Sequence, residues 1–319
     1  MSRTGVGSRA NSRETRSLRM PRTEAPGQSL EGPIERPDRR SGSPEAGGTR
    51  VTYFGHATIL VESSAGAILT DPVFADRIGR FFTKRTAPST VRPESLPPVA
   101  GVLISHPHHD HLDYPSLNRV RPRPPIVVPW GVSVPMRMRG YDDVRILRPW
   151  ESTTLGGWQV VAVPSRHFGG RLPLVGTSGH VGFVLSGPSC IYFAGDTGLD
   201  EPLFREIGRR FPLDLAALPI AGAVFPWFRP NHMNAADALR AFLCLGAQEM
   251  LPMHYATFPA SFEPAGEPLR SLVEESAQLG VSDRVRILRD GMSLSVAPAA
   301  TPAPELPPHG RPEVARTEA

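Results

Sequence analysis

The run HPHHDH (106–111) comes directly after GVLIS (101–105), a short apolar segment that predicts a buried strand. The run has the spacing H-x-H-x-D-H. Two imidazoles two residues apart at the end of a strand can project towards one point, while Asp110 and His111 turn back from the following loop towards an adjacent point. Because the run follows a buried strand, we interpret it as part of two neighbouring metal sites rather than as a histidine-rich surface loop.

This run constrains the fold because one loop cannot complete two metal sites. Further histidine or aspartate side chains have to arrive from other strands. Three apolar segments lead into such a residue: WQVVAV (158–163) leads to His167, CIYFA (190–194) to Asp196, and EMLPM (249–253) to His254. The shared pattern predicts that several strands end at one rim, where these side chains meet.

The apolar segments lie in the middle of the chain. Of the 319 residues, 40% are hydrophobic and 21% are charged, which suits a globular protein with one sizeable core. The basic segment 1–49 and the Pro-rich segment 298–319 have no apolar periodicity. We therefore expect two disordered tails on either side of a single domain at residues 50–297.

The first 20 residues and the lengths of the apolar runs predict the cellular location of the protein. No run of 18 apolar residues occurs, and MSRTGVGSRANSRETRSLRM (1–20) carries Arg where a signal peptide has apolar residues. The two cysteines, Cys190 and Cys244, lie in apolar settings that suit packing rather than a disulfide framework. A cytoplasmic protein is the expectation.

The positive charge of the chain comes almost entirely from arginine. The basic residues are 34 Arg and one Lys, and the formal net charge is +4. This bias indicates genome composition rather than selection for nucleic acid, so no nucleic-acid partner is expected. Residues 1–22 hold six Arg against Glu14, which predicts a solvated arm. The alternative is a weak electrostatic tether to anionic lipid at the inner membrane face.

Short apolar runs and turn signals predict the secondary structure. Strands are expected at 51–54, 58–63, 67–70, 101–105, 125–129, 144–147, 158–163, 180–186, 190–194, 214–220 and 249–253. Helices fit at 200–210, at 235–245 after an Asn234 N-cap, and at 267–279. Asp290 and Gly291 predict a hairpin turn between VRIL (285–288) and MSLSV (292–296). Many short strands with helices later in the chain favour an α/β domain with mixed sheets.

Several motifs together make the chain resemble the metallo-β-lactamase superfamily. They are GHATILVE (55–62), LTDPVF (69–74), LISHPHHDHLD (103–113), PSRH (164–167), FAGDTG (193–198), DLAALPIAGA (214–223) and NHMNAADA (231–238). Their order and spacing are similar to those of the N-acylphosphatidylethanolamine-hydrolysing phospholipase D branch. The resemblance covers residues 50–297 and implies a four-layer αβ/βα sandwich with a binuclear metal site at one edge.

The resemblance also implies a set of metal ligands. The first metal would be held by His106, His108 and His167; the second would be held by Asp110, His111 and His254; Asp196 would bridge both. The intervening Pro107 and His109 are not ligand positions in the family. His56 is expected to support the site or to pack, and neither His180 nor His309 is given a role. Residues 169–179 replace a stretch that often bears tryptophan, and we expect this loop to border the pocket.

Histidine and carboxylate ligands without cysteine suit borderline divalent ions, zinc first, with iron or manganese as alternatives. The expected reaction is hydrolysis of a phosphodiester by metal-bound hydroxide, and Asp110 would orient that hydroxide. His232 precedes a predicted helix N-terminus, where backbone N–H groups favour an anion. Its match to a functional histidine of the branch implies a catalytic or phosphate-contacting role, against the alternative of a loop residue.

The choice of substrate stays open at this point. A phospholipase D-like enzyme needs an apolar groove, whereas a lactonase of phosphorylated sugars, resembling ascorbate-6-phosphate lactonase, needs a small polar pocket. The apolar cluster Phe225-Pro226-Trp227-Phe228 either lines an acyl-chain groove, touches a bilayer surface or belongs to the core. We therefore expect a phospholipid or other phosphodiester substrate, with peripheral membrane contact.

Two further functions are less well supported by the sequence. A nuclease of the superfamily would need a basic substrate-binding extension, which the predicted domain lacks. A metal-binding protein without turnover, such as a redox protein, is disfavoured because the diiron redox relatives carry Glu where this chain has His108. A hydrolase is the prediction.

Overall fold

A computed structural model describes residues 1, 48–79, 83–168, 179–222, 229–259, 264 and 266–298. All the elements below lie within residues 33–319, which form one compact unit. Most of the two predicted tails, the loop at 169–178, the cluster Phe225–Phe228 and His309 lie outside the described residues. No helix within the described ranges is both long enough and apolar enough to cross a bilayer.

The strands and helices follow the apolar segments of the sequence. The strands are β1 Thr49–Tyr53, β2 Ile59–Ser63, β3 Gly66–Thr70, β4 Arg77–Ile78, β5 Thr83–Lys84, β6 Gly101–Leu103, β7 Ile126–Val128, β8 Val144–Ile146, β9 Ser152–Leu155, β10 Trp158–Pro164, β11 Val181–Ser186, β12 Cys190–Phe193, β13 Leu215–Pro219, β14 Glu249–Met253 and β15 Met292–Val296. The helices are α1 Tyr114–Leu117, α2 Ser133–Arg137, α3 Glu201–Arg210, α4 Ala235–Leu245 and α5 Glu267–Gln278.

The strands form two main sheets, and both are mixed. The first has the order β15-β1-β2-β3-β6-β7-β8, antiparallel up to β3 and parallel from β3 to β8. The second has the order β14-β13-β12-β11-β10-β9, parallel from β14 to β12 and antiparallel beyond. Strands β4 and β5 form a separate pair. The predicted mixed sheets are confirmed.

Alternate residues of the central strands face two different cores. In β6, Leu103 belongs to the core between the sheets, whereas Val102 belongs to an outer core with Leu117 of α1 and Met136 of α2. Successive side chains of a strand point to opposite faces, so this sheet is covered on both sides. The larger core also includes buried side chains of α3, α4 and α5. The result is the predicted four-layer α/β arrangement.

The predicted helix α4 has the boundaries that its capping residues require. The Asn234 side chain accepts a hydrogen bond from the N–H of Asp237 at 2.9 Å, which confirms the predicted N-cap. Gly246 follows the last helical residue with φ +64°, a left-handed conformation that ends the helix without strain. This N-terminus fixes where the preceding loop, which carries His232, meets the domain.

The predicted hairpin at Asp290 and Gly291 is wrong. The turn exists, but its two arms do not pair with each other. Val285 forms a parallel bridge with Met250 beside the second sheet, whereas β15 pairs antiparallel with β1 in the first. The N–H of Gly291 donates to the carbonyl of Tyr53 at 2.8 Å. The turn therefore carries the chain from one sheet to the other.

Candidate metal centre

The loops that follow four strands meet at one rim and bring the predicted ligands together. The run 106–111 follows β6, His167 follows β10, Asp196 follows β12 and His254 follows β14. Two groups of four donor side chains result, and within each group the donor atoms all lie within 4.8 Å of one another. The first group is His106, His108, His167 and Asp196; the second group is His56, Asp110, His111 and His254.

Asp196 lies between the two groups. Its Oδ2 atom is 3.8 Å from His106 Nε2 and 3.9 Å from His167 Nε2. Its Oδ1 atom is 3.3 Å from His111 Nε2 and 3.2 Å from His254 Nε2. The carboxylate thus presents one oxygen to each group, which is the geometry that a bridging ligand requires.

Hydrogen bonds hold the imidazoles of the first group in place. The Nδ1 atom of His167 is 3.1 Å from the carbonyl oxygen of Asn231, so the ring donates there and leaves Nε2 for a metal. His106 Nδ1 is 2.9 Å from Ser105 Oγ. The remaining nitrogens converge, with His108 Nδ1 2.9 Å from His106 Nε2 and 3.2 Å from His167 Nε2.

Asp71 supports the second group and was not predicted to do so. Its buried carboxylate accepts from His111 Nδ1 at 2.7 Å, from the backbone N–H of Ser105 at 2.7 Å and from the Ser105 hydroxyl at 2.5 Å. The ring of His111 is thereby oriented with Nε2 towards Asp196. The signal in the sequence was LTDP, an aspartate at the end of an apolar strand, but its partners come from a different strand.

Several buried polar atoms of this centre fit a divalent ion. Among the described residues, His111 Nε2, His254 Nε2 and Asp196 Oδ1 are buried and find no hydrogen-bond partner. Buried polar atoms normally have a partner, and the two nitrogens lie 3.3 and 3.2 Å from Asp196 Oδ1. Zinc binds nitrogen and oxygen ligands at about 2.0–2.2 Å, so two donors on one ion can be separated by these distances. The donor set therefore fits a metal in the second group.

His232 lies beside Asp196 but belongs to neither donor group. Its Nδ1 atom is 3.8 Å from Asp196 Oδ2, and its ring stands edge-on to His167 with centroids 4.9 Å apart. The side chain is 15% exposed. At Gly222, where φ is +106°, a Cβ atom would lie 2.8 Å from His232 Nδ1, so a side chain there would displace the ring. The role of His232 towards substrate stays a prediction.

The rim beside the first group carries other side chains. Phe168 is 46% exposed, and its ring centroid lies 5.4 Å from that of His167. Arg166 next to it is exposed. His180, which was given no role, has Nδ1 3.2 Å from Ser165 Oγ and its ring 6.1 Å from His167. The rings of Phe168 and His180 thus flank His167 of the first group, while the Arg166 guanidinium donates to the carbonyl of Leu199 at 3.3 Å.

Comparison with known proteins identifies the family of the chain. Residues 67–255, more than half of the chain, match the family model described as the beta-lactamase superfamily domain. The chain belongs to the beta-lactamase superfamily. The matched range includes the four strand ends that supply the predicted ligands, and it begins after His56.

The relatives in the superfamily include an uncharacterized protein, a phospholipase D and a metal-dependent hydrolase. An uncharacterized protein of Mycobacterium tuberculosis is 37% identical over 236 residues, 70% of this chain and 63% of the relative. The N-acyl-phosphatidylethanolamine-hydrolyzing phospholipase D 1 of Caenorhabditis elegans is 32% identical over 240 residues, 66% of this chain and 65% of the relative. The chain therefore spans slightly less than two thirds of these relatives. A UPF0173 metal-dependent hydrolase of Rubrobacter xylanophilus is 30% identical over 258 residues, 78% of this chain and 97% of the relative.

A solved structure supports the fold of this superfamily. A metallo-hydrolase of the archaeon Ignicoccus hospitalis superimposes with a TM-score of 0.61 at 24% identity, covering 78% of this chain and 98% of the other. The predicted four-layer fold class is confirmed. The comparisons group the chain with metal-dependent hydrolases, in agreement with the two donor groups.

The two groups differ in charge before any metal binds. Burial lowers the pKa of His106 and His108, and it lowers the pKa of His167 to about 3. Burial opposes protonation of His254 as well, but the carboxylates of Asp196 and Asp110 raise its pKa to about 9. The three imidazoles of the first group are therefore neutral near pH 7, whereas His254 of the second group holds a proton.

Zinc binding to the second group is expected to weaken as the pH falls. A metal ligand has to be a neutral imidazole, so binding displaces the proton of His254. Below pH 9 the apparent dissociation constant should rise by at least about tenfold per pH unit as the pH falls, whereas the affinity of the first group, whose imidazoles have lowered pKa values, should depend less on pH. Chelator-competition titrations of the metal-free protein at several pH values check both. Equal pH dependence of the two equivalents would contradict the assignment.

Proposed function

We propose that the chain is a zinc-dependent phosphodiesterase with two metal ions, of the N-acylphosphatidylethanolamine phospholipase D type. The observation that carries the proposal is the position of Asp196, whose two oxygens face the two donor groups while His232 lies beside the same carboxylate. The named phospholipase D relative supports the reaction class. Iron or manganese would suit the same ligands.

The residues of the chain have separate roles in this reaction. Two divalent ions, when bound, lower the pKa of a coordinated water and stabilise the charge on the attacking and leaving oxygens of a displacement at phosphorus. Asp110 lies at the open side of the second group, 18% exposed, where it can accept a hydrogen bond from the attacking water. His232 is placed to donate a hydrogen bond to a phosphate oxygen or a proton to the leaving oxygen.

The protonation of His232 depends on the substrate. Burial lowers the pKa of His232, which keeps the ring neutral near pH 7. A phosphate group bound beside it would raise that pKa, because a neighbouring negative charge favours the protonated imidazole. The ring is then able to transfer a proton to the leaving group.

The rim suggests which substrate the centre accepts. The exposed ring of Phe168 against His167 favours a substrate with an apolar part, such as an acyl chain of a phospholipid. The exposed Arg166 beside it favours the second candidate, a lactonase of a phosphorylated sugar, since a guanidinium binds phosphate well. The proposal of a phospholipase D-type enzyme includes a phospholipid substrate, peripheral contact with the membrane and a cytoplasmic location.

Metal analysis combined with a turnover screen tests this function. The purified protein should hold two equivalents of metal and hydrolyse an N-acyl phosphatidylethanolamine in vesicles and bis(p-nitrophenyl) phosphate. Turnover on a lactone panel alone would favour the lactonase. A metal-loaded protein that turns over none of these substrates would support a metal-binding protein without hydrolase activity.

Substitution of Phe168 separates the two substrates. Phe168→Ser is expected to lower kcat/KM for the lipid by about tenfold, because part of the apolar area of the ring no longer packs against the acyl chain. Turnover of bis(p-nitrophenyl) phosphate should stay unchanged. Arg166→Gln is the matched control, since it should have little effect on the lipid and a large effect on a sugar phosphate lactone. The reverse pattern would contradict the lipid assignment.

A further inference from the structure

His56 is the one member of the second donor group that was not predicted to be a ligand, and the family match begins after it. The side chain is 3% exposed, and its Nε2 atom is 3.1 Å from Asp110 Oδ2. His254 and His111 lie farther from that oxygen, with their Nε2 atoms at 3.7 and 3.9 Å. The ring of His56 also lies against the ring of His254, with centroids 4.0 Å apart. His56 therefore makes the shortest contact to the Asp110 carboxylate within this group.

The backbone of His56 is held in an uncommon conformation. Its φ is +54°, in the left-handed region. The N–H of His56 donates to Thr257 Oγ1 at 2.7 Å, and its carbonyl accepts from the Tyr53 hydroxyl at 3.2 Å. Gly55 before it has φ +87°, which favours glycine, and a Cβ atom there would lie 2.5 Å from Arg85 Nη2, which would have to shift. Contacts from several elements thus impose this conformation.

The same backbone also fixes a second residue of the group. The N–H of His254 donates to the carbonyl of His56 at 2.7 Å. His254 has φ +61°, so it too is held in the left-handed region. His56 is consequently linked to Asp110 through its ring and to His254 through its backbone.

We propose that His56 is a positioning residue of the second metal group, donating its ring N–H to Asp110 and fixing His254 through its carbonyl oxygen. The inference rests on the proposed binuclear centre. Asp110 is the least buried of the three carboxylate and imidazole ligands assigned to this group, with its side chain 18% exposed against 0% for His111 and 7% for His254. A hydrogen bond from a buried ring therefore limits the rotation of the carboxylate that has most freedom.

The donor function can be separated from the shape of the ring. His56→Phe keeps a ring of similar size but removes the N–H, whereas His56→Gln keeps a donor at similar reach. Both variants have a Cβ atom, so the strain of the left-handed backbone at position 56 is the same in both and in the wild type. We expect His56→Phe to bind the second zinc equivalent about 10–100-fold more weakly, the usual cost of losing such a partner. His56→Gln should restore most of the affinity, and both should bind the first equivalent normally.

The experiment is a chelator-competition titration of full-length metal-free protein with zinc, together with cobalt(II) absorption spectra. In the wild type, fewer than two zinc equivalents would overturn the proposed centre and this inference with it. Two equivalents in the wild type and unchanged second-site affinity in His56→Phe would overturn the inference alone. If both variants lose the second equivalent and change the cobalt spectrum, His56 is a direct ligand and the positioning role is wrong. Circular dichroism of the metal-free variants establishes that they fold.

Discussion

Asp196→Ala is expected to lose one or both metal ions and, with them, turnover on every substrate. The carboxylate lies 3.2–3.9 Å from donor nitrogens of both groups, so its removal affects both. It also leaves the imidazoles of His111 and His254 without the buried negative charge that raises their pKa. We expect kcat to fall by more than about 100-fold, since the loss of even an outer partner of a ligand costs up to that much.

The matched control is Asp214, a buried aspartate that precedes β13 and contacts the first residue of β12. Asp214 accepts a hydrogen bond from the N–H of Cys190, the first residue of β12, whereas Asp196 follows the end of β12. Asp214→Asn should lower thermal stability while leaving metal content and turnover intact. Metal per chain, kcat and the melting temperature are measured for both variants. Two bound equivalents and normal turnover in Asp196→Ala would show that the bridging role is wrong.

The strand ends of the metal centre could be predicted because each ligand follows its own apolar segment. His167, Asp196 and His254 come directly after the segments that form β10, β12 and β14. These three strands lie in one sheet. The kinds of ligand at the rim, imidazole and carboxylate, could therefore be predicted without the order of the strands in that sheet. The local pattern was sufficient since each signal was complete within a few residues.

The supporting residues were harder to predict because their partners lie on other strands. Asp71 follows β3, and it reaches Ser105 and His111 since β3 and β6 are parallel neighbours. Nothing in the local sequence states that pairing. The hairpin prediction at Asp290 failed for the same reason: the turn residues were identified correctly, but the partners of both arms are set by the two sheets.

Asp71 and His56 contact different predicted ligands of the second group. Asp71 orients the ring of His111, and His56 contacts Asp110. Both have positive φ values and both follow strands of the first sheet, β3 and β1. The second group is therefore held by loops of the first sheet, although His254 comes from the second. Its geometry depends on how the two sheets pack.

His232→Ala is expected to lower turnover of an unactivated phosphodiester while leaving metal content unchanged. His232 lies in neither donor group, so its loss removes no ligand. Its Nδ1 atom is nevertheless 3.8 Å from Asp196 Oδ2, close enough for the ring to reach a phosphate bound at the centre. Losing a positioned proton donor costs about 10²–10⁴-fold in rate.

The leaving group decides how large this loss should be. The effect of His232→Ala should shrink for bis(p-nitrophenyl) phosphate, because nitrophenolate leaves without a proton. His180→Ala is the control, since His180 flanks His167 but belongs to neither donor group, and we expect it to retain turnover on both substrates. Rates on the two substrates are compared at equal metal loading. Loss of metal from His232→Ala would make His232 a ligand, and wild-type rates on both substrates would make it an ordinary loop residue, because a proton donor affects the poorer leaving group more.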